Sequence, residues 1–135
     1  MLLGPPLDAA NQMALDEAAL ASAPEGAGFL RFFNWAGRSV TFGLAQPFAL
    51  AAGLAAAKGM AGVPIVRRPT GGGVVFPWDR LTGALGVYER MHLRVRSALK
   101  ARGLETGVAG LALPVLREAG RLAAKYRSDD WNRRR

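Results

Sequence analysis

The residues with most chemical potential stand together: Arg67-Arg68-Pro69-Thr70-Gly71-Gly72-Gly73-Val74-Val75-Phe76. Two guanidiniums, a turn-making proline, a hydroxyl and three glycines lead directly into an apolar, strand-like run. Glycine reaches backbone angles closed to other residues, so three in a row let the main chain lie directly against a ligand. Successive exposed N–H groups form an anion-binding concavity. An adjacent arginine adds the planar fork that suits phosphate or carboxylate. Two readings fit: a loop that cradles an acidic small molecule with Arg68 as its fixed cation, or a Gly-rich hairpin turn with two solvated arginines. The segment lacks the Lys-Ser/Thr ending of a P-loop and precedes a strand rather than opening a helix. Nothing resembles a nucleophile elbow, which sets Ser-His-Asp catalysis aside. The lone His92 has no second histidine or carboxylate cluster at metal-ligand spacing, so no protein-held metal is expected.

The elements that must position this loop alternate between helix and strand. Asp8 suits the cap of a helix running to about Ser22, with Met13, Leu15, Ala18, Ala19 and Leu20 as its apolar area and Asp16 and Glu17 as solvated charges. Residues 29–35 form the most strand-like stretch, too aromatic to be left exposed. A tight turn at 36–38 leads into a second strand at 39–43, so a hairpin is expected there. Pro47 opens an Ala-rich helix to about Ala57, which Lys58-Gly59 ends. Strands are expected at 63–68, 74–76 and 81–88. Residues 88–102 read as a basic amphipathic helix with a solvated face, stopped by Gly103.

Composition sets the bounds. With 135 residues the chain is one domain, large enough for a core, and half of its residues are hydrophobic. Alanine and glycine supply much of that half, so the core is assembled from small pieces. Without cysteine there is no disulfide and no thiolate metal site, which fits a reducing compartment. No signal-peptide pattern or bilayer-length apolar run is present, so a cytoplasmic protein without membrane partners is expected. The formal charge of +8 raises nucleic acid as a partner. However, half of that excess lies in the last fifteen residues, and no aromatics interleave with the arginines of 88–102 to stack on bases. A small basic binder of nucleic acid or acidic protein therefore stands only as the alternative class.

The Gly segment resembles the signature of the lipoate–protein ligase family, related to octanoyltransferases and biotin ligases, which reads R-R-x-[ST]-G-G-G-x-V-[FY]. Asn11-Gln12-Met13-Ala14-Leu15-Asp16-Glu17 resembles the family's first-helix pattern N-x-x-A-x-[DE]-E. The stretch from Trp35 through Gly43 to Gln46 resembles its W-x(4)-[VS]-x-x-G-x-x-Q strand pair, and Leu81-Thr82-Gly83-Ala84-Leu85 stands where the family has L/W-T-Y-S-L. The match runs from about Asn11 to Arg102. It implies an α+β fold of the biotin/lipoate protein ligase type, with an antiparallel-rich mixed sheet packed by helices and the Gly loop at its open face. It further implies that Arg68, Gly71, Gly72, Gly73, Val74, Val75 and Phe76 hold the acyl carboxylate and nucleotide phosphate, with Thr70 near the acyl pocket. Trp35 and Phe42, with Val74 and Phe76, would wall that pocket. The implied activity is protein lipoylation or octanoylation, with lipoate or octanoate as substrate and, for a ligase, ATP with nucleotide-borne Mg²⁺. The implied partners are a lipoyl acceptor domain of a 2-oxoacid dehydrogenase complex or a glycine-cleavage H-type protein.

The chain also departs from the pattern. Ligases carry an essential lysine in G-R-K-[IV]-x-G-x-A. Here Gly120-Arg121 aligns with its start, Leu122 replaces the lysine, and Lys125, the remaining catalytic candidate, falls three residues late. Pro77 stands for the usual histidine and Leu44 for a frequent arginine. The chain thus divides into an N-terminal ligase-like part, 1–109, and a divergent basic tail, 110–135. Three arrangements fit: a domain truncated or frame-shifted at its C-terminal end, one half of a two-chain ligase whose lysine lies on another polypeptide, and a non-catalytic lipoyl-binding module.

Overall fold

The computed structural model describes residues 2–3, 6–27, 31–33, 35–76, 94–95, 97–103 and 113–134. In chain order these form β1 (Leu2–Leu3), α1 (Ala9–Ala21), β2 (Arg31–Phe32), β3 (Val40–Phe42), α2 (Phe48–Ala57), β4 (Ile65–Arg67), α3 (Leu113–Arg127) and α4 (Asp129–Asn132).

Helix α1 begins where the sequence signals it. Asp8 has extended backbone angles, and its Oδ1 accepts the Asn11 N–H at 2.8 Å. Ser22 ends the helix, its Oγ donating to the Ala18 carbonyl at 2.8 Å. The alanines at 9, 10, 14, 18 and 19 are buried, and their small side chains admit α3 alongside. From α3 come Val115, Ala119, Leu122, Ala123 and Tyr126, which complete the larger core. Burial of Leu122 and Tyr126 contributes roughly 1.5–3 kcal/mol each. Residues 113–134, the basic end of the chain, therefore supply one side of the core, while Arg117, Arg121 and Arg127 stay exposed.

The strand pairing corrects the expected antiparallel-rich sheet and its hairpin. Among the described residues the two ladders are both parallel: β1 with β2 (Leu2 opposite Arg31), and β3 with β4 (Val40 opposite Ile65, Phe42 opposite Arg67). Trp35, at the end of the predicted first hairpin strand, bridges in parallel to Leu7. The physical reason lies in the helices. A parallel pair needs a crossover of about a dozen residues or more, and α1 and α2 provide one within each strand–helix–strand unit. The only antiparallel contact among the described residues is the Thr41–Val75 bridge, formed where the Gly loop turns the chain back along β3.

Helix α2 follows Pro47 and ends at Lys58, with Gly59 at φ +67°, a left-handed value glycine adopts without strain. It buries Ala51 and Ala55, and Ala55 joins Val40 and Met60 in a smaller cluster against which Val63, Ile65, Val74 and Phe76 pack. Residues 94–95 and 97–100 are helical, and Gly103 at φ +74° follows them. The strand expected at 81–88, the first part of that helix and His92 lie outside the described residues. No helix among the described residues is long and apolar enough to cross a membrane.

Candidate functional site

The Gly loop leaves the C-terminal end of β4 and is pinned at both feet. Arg68 N–H donates to the Phe42 carbonyl at 2.8 Å, and Leu44 N–H donates to the Thr70 carbonyl at 2.8 Å. At the far foot Thr41 and Val75 exchange both backbone bonds, at 2.9 and 2.7 Å. The middle of the loop rests on Gly43. A Cβ there would meet the Gly72 carbonyl oxygen at 2.2 Å and the Gly71 carbonyl carbon at 3.0 Å, so only glycine fits. The turn that presents Gly43 is locked by Gln46, whose Oε1 accepts the Gly43 N–H and whose own N–H donates to the Gly43 carbonyl, both at 3.0 Å. Gly72 itself has φ +95°, which L side chains rarely adopt.

Arg68 closes the loop from within. Its Nη1 donates to Thr41 Oγ1 at 3.0 Å, and its Nη2 donates to the carbonyls of Gly71 and Gly73 at 3.0 and 2.6 Å. Among the described residues no carboxylate pairs with it. Burial pushes its guanidinium pKa down, which does not threaten a cation this basic. The N–H groups of residues 70–74 donate to no acceptor among the described residues. The loop thus has the carbonyls of Thr70, Gly71 and Gly73 engaged internally, while a run of donors and a cation remain. That imbalance suits an anion.

Arg67 differs from its neighbour in every respect. It is 3% exposed and donates to five carbonyls: Leu44 (2.5 Å), Gln46 (2.9 Å), Trp131 (3.2 Å), Asn132 (3.1 Å) and Arg134 (2.6 Å). Its plane lies 4.6 Å from the centre of the Phe42 ring. Its backbone N–H donates to Asn132 Oδ1 at 2.8 Å, and Trp131 Nε1 donates to its carbonyl at 2.9 Å.

The sequence-derived site residues fall in three places. Arg68, Thr70, the three glycines, Val74, Val75 and Phe76 stand together on the loop and its exit. Phe42 is fully buried beside them, edge-on to Phe48 at 6.1 Å and covered by Arg67. Trp35 packs instead against the α1–α3 core, edge-on to Phe33 at 5.1 Å, and no ring contact among the described residues joins it to Phe42. Lys125 lies on α3. Its Nζ donates to both Glu17 carboxylate oxygens at 2.8 and 2.9 Å and sits 4.1 Å from the centre of the Trp131 ring.

Tyr126 Oη also donates to Glu17. Burial works to raise the Glu17 carboxyl, but the bonds from Lys125 and Tyr126 outweigh it and hold its pKa below the usual value. Burial, with the Glu17 carboxylate second, pushes the Tyr126 phenol up. Asp16 likewise pairs with Arg31 at 2.6 Å, so neither acidic residue is the merely solvated charge the sequence suggested. A cavity of about 590 Å³ lies between the start of α1, the turn before β4 and the end of α3, and none of the loop residues lines it.

Sequence reasoning gave Arg67 no role in the anion-loop reading and a solvated one in the hairpin reading, and gave Gly43 and Gln46 no role beyond the pattern they complete. A glycine directly after a strand was the available signal for Gly43. Nothing local marks Arg67, because its acceptors lie about 20 residues before it and about 65 after it in the sequence.

Fold and site together define an α+β domain of strand–helix–strand units presenting an anion-suited Gly loop. Over its whole length the fold is similar to that of protein Ta0514 from T. acidophilum, provisionally described as a lipoate protein ligase and solved with bound lipoic acid. That likeness has a TM-score of 0.70 at 15% identity and covers 98% of each chain. A second structure of Ta0514 matches at 35% identity with a TM-score of 0.46, covering 56% of this chain and 31% of that one. The full-length likeness shows a lipoate ligase-like fold. No family model and no curated protein matches the chain.

Proposed function

We propose that this chain binds a lipoyl or octanoyl group, as its acyl-adenylate, for transfer to a lysine of an acceptor domain. One observation carries the reading: in a lipoate ligase-like fold, the N–H donors of residues 70–74 meet no acceptor among the described residues and lie beside Arg68, which meets no carboxylate among them.

An acyl-adenylate joins a carboxyl group to AMP and concentrates negative charge on phosphate and carbonyl oxygens. Preorganised N–H groups and a guanidinium stabilise that charge, most strongly as it develops in a transition state. Gly43 and Gln46 hold the loop in place beforehand, so little reorganisation is needed. Arg68 exchanges the Gly71 and Gly73 carbonyls for ligand oxygens, and Thr70 stands at the acyl side. The apolar chain needs a dry lining, for which Val74 and Phe76 beside the smaller core cluster are the nearest candidates. Where ATP is the co-substrate, the same donors hold its phosphate, and Mg²⁺ arrives with the nucleotide. The acceptor lysine then attacks the acyl carbon and AMP leaves. The acceptors proposed are a lipoyl domain of a 2-oxoacid dehydrogenase complex or a glycine-cleavage H-type protein, in the cytoplasm.

Lys125 favours a second reading of the same class. Both Glu17 oxygens hold its ammonium, so it is not free to stabilise an adenylate. A lysine supplied by a second chain, or a module that holds the acyl group without activating it, accommodates that placement.

Calorimetric titration with a non-hydrolysable lipoyl-adenylate analogue tests the proposal. The parent should bind, and Arg68→Ala should lose the binding while keeping its circular dichroism. Equal affinity in both, or no binding by a folded parent, refutes it.

A further inference from the structure

We infer that Arg67 is a positioning residue for the Gly loop and couples that loop to the C-terminal segment 128–134. This deepens the proposed anion-binding reading and rests on it for its functional meaning.

The mechanical chain can be followed atom by atom. Gly72 lies on Gly43, too close to admit even a Cβ. Gly43 belongs to the 43–46 turn, and Leu44 of that turn also donates its N–H to the Thr70 carbonyl. The opposite side of this turn is gripped by Arg67, whose Nη1 donates to the carbonyls of Leu44 and Gln46. The rest of the same guanidinium grips the C-terminal segment: Nε the Trp131 carbonyl, Nη2 those of Asn132 and Arg134. A planar fork with five N–H donors in fixed directions can satisfy this set, and an ammonium with three cannot.

Two further bonds fix the strand to the segment itself, Arg67 N–H to Asn132 Oδ1 and Trp131 Nε1 to the Arg67 carbonyl. Asn132 is anchored in turn, donating to the carbonyls of Tyr126 and Ser128 at 2.9 and 3.0 Å. No carboxylate among the described residues neutralises Arg67. A buried cation held by carbonyls and one aromatic face becomes costly to keep buried as those carbonyls are withdrawn. Loss of the 131–134 carbonyls therefore frees the guanidinium, and with it the seat beneath the loop. Segment 128–134 thus acts as the far end of a lever whose near end is the anion loop, and anything that binds or displaces this segment changes loop geometry.

The test reads the loop directly. In ¹⁵N-labelled full-length protein without ligand, Arg67→Lys and Asn132→Ala should both shift the amide resonances of Gly71, Gly72 and Gly73. The exposed control Arg117→Ala should leave them in place. Asn132→Ala keeps the Arg67 side chain and alters its contacts from the segment's side, so it decides the matter if Arg67→Lys fails to fold. Unmoved glycine amides in a folded Asn132→Ala protein overturn the inference.

Affinity for the lipoyl-adenylate analogue should fall by about tenfold or more in both variants, the scale of a few lost charge-assisted hydrogen bonds. Unchanged affinity in a folded variant of a parent that binds also overturns it. If the glycine amides move but the parent binds no analogue, the coupling stands and the acyl-adenylate reading falls.

Discussion

The Gly loop and the α1–α3 seam treat polar groups in opposite ways. In the seam Lys125 and Tyr126 both donate to Glu17, and Asp16 with Arg31 continues the pattern. In the loop, the carbonyls of Thr70, Gly71 and Gly73 are engaged, while among the described residues the five N–H donors of residues 70–74 meet no acceptor and Arg68 meets no carboxylate. Both regions hold residues that a motif search would flag as chemical, Lys125 in one and Arg68 in the other. The difference teaches that a cation's availability, more than its identity, separates a structural ion pair from a binding group. A paired, half-buried lysine adds stability; an arginine held by exchangeable carbonyls beside spare donors is ready for an anion.

That contrast can be broken by experiment. The largest effect should come from the seam: Tyr126→Ala removes a fully buried ring, which also packs edge-on against Trp131 at 5.7 Å. It should cost about 3–5 kcal/mol in denaturant unfolding. Analogue affinity, under conditions where the variant remains folded, should fall only as far as the lost Trp131 contact moves segment 128–134, and by less than in Gly43→Ala. Gly43→Ala should follow. The added Cβ has only backbone in front of it, so the loop must move, at about 1–3 kcal/mol in stability and with most of the analogue affinity lost. Retained affinity there would show that the loop's position does not matter to binding.

Smaller effects sharpen the comparison. The folded-state pKa of Glu17 lies below its usual 4.5. The stability its bonds supply is therefore fully present above that value and lost as pH falls through the folded one. Glu17→Gln should lower stability by about 1 kcal/mol near neutral pH and flatten the acid limb of the stability–pH curve. A variant with an unchanged acid limb would remove the seam from the account of acid sensitivity. The smallest stability change belongs to Arg68→Ala, within about 1 kcal/mol of the parent, although it should abolish binding. If Lys125→Ala instead abolished acyl transfer with stability unaltered, the assignment of structural and binding cations would have to be reversed.

Much of the local structure was legible. Asp8 and Ser22 bracket α1, Pro47 and Lys58-Gly59 bracket α2, and the Gly loop stands between strand residues as its composition demands. These are features of short range, set by caps, proline and glycine angles. The hairpin was misread because a turn signal at 36–38 says that the chain bends, and leaves open which strand it will then meet. Two neighbouring segments that look like one hairpin belong here to two strand–helix–strand units. The α+β class survives that change, and the antiparallel-rich sheet does not.

The roles of the two adjacent arginines mark the same boundary. From residues alone, Arg67 and Arg68 are equivalent guanidiniums at the start of a Gly-rich turn. The 43–46 turn and the arrival of α4 bury one among carbonyls from before and after it in the sequence and leave the other in the loop. Likewise Glu17 meets Lys125 across more than a hundred residues of sequence. The sequence by itself determined the helices, their ends, and a loop whose glycines and arginine suit an anion, because those depend on backbone freedom and neighbouring side chains. Which arginine faces the loop, which glycine carries it and which strands pair were decided only by the tertiary structure, because a polar group's role depends on the partners that folding brings within about 3 Å of it.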